Sequence, residues 1–326
     1  MNKEEIFSFL NSDKKHDIDQ LFSRADQARK DFVGDAIHLR GIIEFSNYCK
    51  RNCAYCGLRR DNKNLKRYRM DYPEIFRHAI KAKDLKIPTV VLQSGEDPWY
   101  KIDKLCALIR EIKKLGLVVT LSIGECSYAD YKKLRKAGAD RYLLRFETSD
   151  PKLYKKLKPG CLLSTRLSCL KNLKRLGFET GSGVMVGLPG QTDESLADDI
   201  MLFKKFKLDM IGVGPFIPHP HTPLARNKTG TLEKVLKVLA LTRIVTKNTN
   251  IPATTAVGTI DALGRQKALA CGANVLMPNI TDAKYRKLYQ IYPDKICISE
   301  DALRCRGCVE KMARALGRTI VSGANL

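Results

Sequence analysis

The apolar positions of this chain change period again and again. Short strand-like runs, some alternating and some continuously apolar, occupy 38–45, 88–93, 117–123, 140–146, 179–186, 208–215, 251–256 and 273–277. Between them, 72–84, 101–114, 127–137, 163–176, 191–206, 231–248 and 260–270 place apolar residues three and four apart, the pattern of helices covering a core. Strands alternating with crossover helices predict an α/β fold, a (β/α)8 TIM-type barrel over 35–281. Residues 1–34 read as N-terminal helices and 282–326 as a C-terminal extension, all within one compact unit. An open doubly wound sheet would carry G-x-G-x-x-G after its first strand, and this chain does not.

Within the strands the alternation is polar on the second face. His38, Arg40, Ile42 and Glu44 point one way, against Leu39, Gly41, Ile43 and Phe45. Arg141, Leu143, Arg145 and Glu147 share a face, as do Val118, Thr120, Ser122 and Gly124. An unpaired charge inside a packed core costs several kcal/mol. The face therefore predicts a polar cavity that holds a ligand, or else salt bridges closed among its own charges.

Apolar content of 44% and charged content of 29% suit a globular protein. No apolar run nears the roughly 20 residues of a membrane helix, and the charged first residues lack a secretion signal. The expectation is a cytoplasmic protein with no membrane contact. A net charge of +23 fits a lysine-rich solvated surface or attraction to acidic partners. Nucleic-acid binding would want a basic stripe with interleaved aromatics, and none is evident.

Eleven cysteines in a reducing compartment argue against disulfides. Six fall into two tight groups. Cys49, Cys53 and Cys56 form C-x3-C-x2-C directly after the first strand, where barrel enzymes place their chemistry. Three thiolates ligate three irons of a [4Fe–4S] cube and leave the fourth iron open, as a catalytic centre requires. Zinc would want a fourth ligand close by in sequence. Cys297, Cys305 and Cys308 form the second group, suited to a second iron–sulfur cluster or to zinc.

The first spacing, with Tyr55 just before its last cysteine, resembles the radical S-adenosylmethionine (SAM) superfamily. The resemblance implies that SAM chelates the open iron and is cleaved by one electron to a 5′-deoxyadenosyl radical. Gln93, Ser94, Gly95 and Glu96 resemble the motif that receives the SAM ammonium. Glu147 is similar to the carboxylate that holds the ribose, and Arg166 to the guanidinium that pairs with the SAM carboxylate. Within the superfamily, runs such as VVLQSGEDP, GADRYLLRFET and IPATTAVGT resemble the HydE family of [FeFe]-hydrogenase maturases, over roughly 36–312. Methylornithine synthase and biotin synthase are its cousins.

That closer resemblance implies a small anionic organometallic substrate, an iron bearing cysteine, CO and cyanide. HydG would supply it, HydF would receive the product, and a ferredoxin or flavodoxin would supply electrons. It implies that Arg40 and Arg145 hold the anion, that Thr254 and Thr255 hydrogen-bond it, and that Met210, Met277, Tyr289 and Tyr292 line the cavity. It also makes Cys297, Cys305 and Cys308 an accessory iron–sulfur site. Taken singly, each lining residue would read as core packing. Two competing readings are a lysine mutase like methylornithine synthase and a basic, zinc-binding nucleic-acid scaffold.

Overall fold

A computed structural model describes residues 1–321; the last five residues of the expected C-terminal extension, 322–326, lie outside it. Its strands are β1 (Ile37–Ser46), β2 (Thr89–Ser94), β3 (Val118–Ser122), β4 (Arg141–Leu143), β5 (Glu179–Val186), β6 (Met210–Pro215), β7 (Val275–Leu276) and β8 (Ile320–Val321). They run in the order β6-β5-β4-β3-β2-β1-β7, and β8 adds to the start of β1. Every pairing is parallel. Residues 250–253 close the ring: Ile211 N donates to Asn250 O at 2.9 Å, and Ala253 N donates to Val275 O at 2.9 Å. The barrel is thus closed by eight parallel segments.

The expected strand 251–256 survives only as this short pairing. Pro252 offers no N–H to a ladder, and Thr254 turns its hydroxyl to the Val257 N–H, starting the helix Thr255–Ile260. The helix expected over 260–270 is likewise two, Thr255–Ile260 and Gly264–Ala270, because Asp261 folds back onto the Leu263 N–H at 2.8 Å.

The outward faces, including Leu39, Ile43, Phe45, Val119, Leu121, Val184, Ile211 and Val213, are buried against the helices in one continuous core. Helices Lys3–Asn11 and Lys15–Val33 precede the barrel. The first is tied to helix Leu232–Thr246, where Lys234 Nζ donates to Leu10 O at 2.8 Å and the buried Lys237 Nζ to Ser12 O at 2.6 Å. Among the described residues no helix is long and apolar enough to cross a membrane.

Candidate active site

Where β1 ends, the chain enters the loop that carries Cys49, Cys53 and Cys56. Buried Asn47 fixes its base, accepting from Tyr68 N at 2.8 Å and donating to Lys66 O and Leu288 O at 2.8 and 2.9 Å. Arg67 fills the loop's interior and donates to Asn47 O, Leu58 O and Arg59 O at 2.5, 3.0 and 2.7 Å. The end of β2 lies against it: Gly95 N donates to Ser46 O at 3.2 Å, and a Cβ on Gly95 would press on Tyr48 O and come within 2.7 Å of Cys49 Cβ. Only glycine lets these two segments meet. From the other side, Gly57 N donates to Ile291 O at 3.0 Å, so residues after the barrel brace the loop.

All three thiols are free. Burial raises each above its ordinary range, and the Cys53 and Cys49 charges raise Cys56 further, so the three share one electrostatic neighbourhood. Two backbone N–H groups aim at Cys49 Sγ, from Arg51 at 3.4 Å and Glu96 at 3.3 Å. Neighbouring thiols, one of them with two N–H donors beside it, suit thiolates bound to metal. The donor set fits a [4Fe–4S] cluster on three cysteines.

Beside the loop stands a network of two carboxylates and two guanidiniums. Arg51 bridges Glu96 at 2.5 Å and Glu125 at 2.7 Å, and Arg166 faces Glu125 at 2.9 Å and Glu96 at 3.7 Å. The 2.9 Å contact is an ion pair without hydrogen-bond alignment. Arg166 is buried, and the carboxylate of Glu125 leads the influences that raise it despite that burial. Such a set offers both signs of charge, as an amino-acid moiety requires. A cleft of about 490 Å³, lined in part by Lys50, Glu96 and Glu125, opens alongside. Ser94 Oγ donates to Gly95 O at 2.7 Å, and Gln93 Nε2 to Tyr289 OH at 3.3 Å. Glu147 has a φ of 70°, unusual for a residue with a side chain, and its carboxylate receives Arg145 Nε at 3.1 Å.

The lumen below is split in height. Its upper part holds Arg145, Tyr289, Tyr292 and the buried pair Lys295–Glu44, whose carboxylate also accepts from Asn279 at 2.8 Å. Gly212 and Gly214 make room there: a Cβ on Gly212 would meet Arg145 Nη1 only at 3.5 Å, and one on Gly214 would meet Thr254 Oγ1 at 3.3 Å. Thr254 is engaged in capping its helix, Thr255 is the first residue of that helix, and Met277 is half-buried after β7. Arg40 and Met210 lie on the floor, with Arg40 Nη1 at 2.6 Å from Met210 Sδ. Arg40 precedes the end of β1 by roughly 20 Å of strand, so the two expected anion-holding arginines stand at different depths. Cys297 and Cys305 meet on the far side of the extension, and Cys308 is exposed near Arg265. Arg51, Glu125 and Lys295 were not anticipated from sequence, whereas Glu44 stands on the polar strand face expected to line a cavity. Glu125 alone carried a signal, a carboxylate at a strand end like Glu96 and Glu147.

Residues 43–203 match the model of the radical SAM superfamily. The [FeFe] hydrogenase maturase subunit HydE of Thermotoga maritima is 56% identical, over 91% of this chain and 86% of that protein. This chain belongs to the HydE family of radical SAM enzymes. The family implies a [4Fe–4S] cluster and SAM, and the cysteine loop fits the former. A 3-methylornithine synthase of Methanosarcina acetivorans is 30% identical over 85% of this chain and 79% of that one. Among solved structures, methylornithine synthase superposes with a TM-score of 0.87 at 25% identity, covering 98% of this chain and 94% of that one. The maturase HydG superposes at 0.84 with 21% identity, over 99% of this chain and 73% of its own, a likeness of fold.

Proposed function

We propose that this radical SAM enzyme acts in the cytoplasm in maturation of [FeFe]-hydrogenase, on a small anionic iron complex bearing cysteine, CO and cyanide. The observation that carries this reading is the 56% identity to the Thermotoga maritima HydE, spread over 91% of the chain. When bound, the cluster and SAM supply a 5′-deoxyadenosyl radical. Cys49, Cys53 and Cys56 hold the cluster, and the network of Glu96, Arg51, Glu125 and Arg166 orients the methionine end of SAM. Glu147 holds the ribose, kept in place by Arg145. The lumen, with Arg145 and Lys295 above and Arg40 below, favours an anion and keeps bulk water from the radical. HydG is the proposed supplier, HydF the recipient and a ferredoxin or flavodoxin the electron donor, drawn to a surface of net charge +23. Cys297, Cys305 and Cys308 hold a second iron–sulfur centre in this reading.

The test uses oxygen-free reconstituted enzyme with reductant, SAM, HydG, its substrates, HydF and unmatured hydrogenase. Hydrogen evolution is expected with the wild type and absent with Cys53→Ala. The kinship to 3-methylornithine synthase sets the second arm, SAM with lysine. Accumulation of methylornithine would reject the maturase reading.

A further inference from the structure

Beside the cysteine loop the surface carries a group of side chains that take no part in the SAM network. Trp99, the only tryptophan of the chain, lies just past the end of β2 and is 46% exposed. Its ring stacks on Tyr72 with centroids 6.2 Å apart and meets Tyr100 edge-on at 4.8 Å. The guanidinium of Arg69 stands 5.7 Å from the Trp99 ring and 3.6 Å from the ring of Tyr48, the residue before Cys49. Trp99, Arg69 and Tyr48 therefore form one continuous set that ends at the first cysteine of the loop.

This set is held rigid from beneath. The buried Asp97 carboxylate accepts from Arg69 Nε at 2.7 Å and Nη2 at 3.0 Å, and from Trp99 N at 3.1 Å. It also accepts from Ser46 Oγ, at the end of β1, at 2.7 Å. One acid thus fixes the guanidinium, the backbone of the tryptophan and the strand that leads into the loop. A large apolar ring left in water is unfavourable, and groups already fixed lose little freedom when another protein covers them. Trp, Tyr and Arg are also the side chains that most often anchor protein interfaces. Charge selects the partner. Between Tyr48 and Arg69 the only acid is Asp61, and Arg60 pairs with it at 3.2 Å. Lys50 and Lys66 on the loop are exposed, as is Lys101, two residues after Trp99. The other acids nearby are engaged: Glu74 with Lys284 and Tyr285, Asp103 with Lys133, and Asp71 as the cap of helix Tyr72–Asp84. A partner that complements this surface is acidic.

We propose that the surface of Trp99, Arg69 and Tyr48 is the docking site of an acidic electron-carrier protein that reduces the cluster on Cys49, Cys53 and Cys56. This rests on the reading of that loop as a cluster reduced by one electron, and it adds the place where the electron enters. The carrier is oxidised by one electron and the cluster is reduced by one; no bond forms and no proton moves.

Reconstituted holoenzyme is prepared without oxygen as wild type, Trp99→Ala and Lys101→Glu. Lys15→Glu, at the exposed start of helix Lys15–Val33, is the control of equal charge change. The probes are an acidic [4Fe–4S] ferredoxin and an acidic flavodoxin. Calorimetry reads affinity for the oxidised carriers, and freeze-quench EPR reads reduction of the cluster by the reduced ones. Formation of 5′-deoxyadenosine with dithionite reads the enzyme without a carrier. The wild type should bind at least one carrier, and more weakly as salt is added. Trp99→Ala and Lys101→Glu should each lower that affinity at least about tenfold and slow reduction by the carrier. Lys15→Glu should match the wild type, and with dithionite all four should cleave SAM within about twofold of one another. An unchanged affinity in Trp99→Ala would overturn the docking site, as would a loss in Lys15→Glu as large as that in Lys101→Glu. So would a Trp99→Ala enzyme that fails with dithionite as well, or a wild type that cleaves SAM with dithionite but binds neither carrier. If the wild type cleaves no SAM even with dithionite, the reading of the loop as the reducible cluster falls too.

Discussion

Replacing Gly95 by alanine tests whether the contact between β2 and the cysteine loop sets the position of the first cluster. The new Cβ would lie 2.7 Å from Cys49 Cβ, where ordinary contact begins at 3.4 Å, so the two must separate by about 0.7 Å. The shift at Tyr48 O is larger, and neither neighbour is the free end of a flexible side chain. Overpacking of this kind costs typically 1–3 kcal/mol. The displacement falls on Cys49, a proposed cluster ligand, and on the backbone that carries Glu96 N to Cys49 Sγ at 3.3 Å. A misplacement approaching 1 Å at a reacting centre can lower a rate on the order of 100-fold. We expect Gly95→Ala to fold with reduced stability, to take up less iron in the first cluster, and to form 5′-deoxyadenosine about 100-fold more slowly. Iron counting, denaturant unfolding and product quantification by chromatography read these in one preparation. A variant with full iron and cleavage within threefold of wild type would refute the reasoning.

Arg166→Met leaves Glu96 and Glu125 buried with Arg51 as their remaining close guanidinium, and removing one member of a buried ion pair costs about 3–5 kcal/mol. KM for SAM should rise at least about tenfold while kcat changes little; an unchanged KM would remove Arg166 from the SAM site. Asp199 is fully buried, and burial pushes its carboxyl up to about 7 although Ser149 N donates to it at 2.5 Å. Its folded value exceeds the unfolded one, so its stabilisation is complete below pH 4 and is lost as pH rises through 7. Relative to Asp199→Asn, the wild type should lose roughly 4 kcal/mol of stability across that window, and parallel unfolding curves between pH 5 and 8 would sink the idea. Gly307, inside helix Ala302–Ala315, has open space where a Cβ would stand, so Gly307→Ala should stabilise by about 0.5–1 kcal/mol with the metal content unchanged; a loss of stability would count against it.

The barrel was legible because apolar runs at its longer strands, such as β1 and β5, are separated by helices with a different period. That logic failed at 251–256, where Pro252 interrupts the ladder and Thr254 is a helix cap, so an apolar run closes the ring without forming a strand. The cysteine loop stood out because its three cysteines are neighbours in sequence. Arg51 and Lys295 were not: Arg51 acts through Glu96 and Glu125, 45 and 74 residues on, and Lys295 reaches Glu44 across 251 residues. Nothing local in those segments marks the partner. Depth was lost in a different way. Alternation assigns Arg40 and Arg145 correctly to one interior, but it says which way a side chain points and not how far along the barrel it stands.

That difference in depth decides where the lumen's charge is unbalanced. In the upper part each cation has a carboxylate at hand, Arg145 with Glu147 and Lys295 with Glu44. On the floor, Arg141 is satisfied by Glu179 at 2.6 Å and Thr89 at 3.2 Å. Arg40 has no carboxylate: its Nε and Nη2 lack partners among the described residues, and burial, with Arg141 nearby, pulls it down to about 9. His38 is pulled down to about 4 by burial first and then by Arg40, so it is neutral at pH 7 and adds no charge of its own. At neutral pH the floor therefore holds a guanidinium that is still protonated and uncompensated. In a low-dielectric interior, charge of that kind attracts anions. The paired cations above can exchange partners with an arriving anion, whereas Arg40 has none to give up. For the proposed anionic substrate, Arg40 on the floor is thus the proposed source of attraction, and Arg145 and Lys295 above it are the proposed orienting groups.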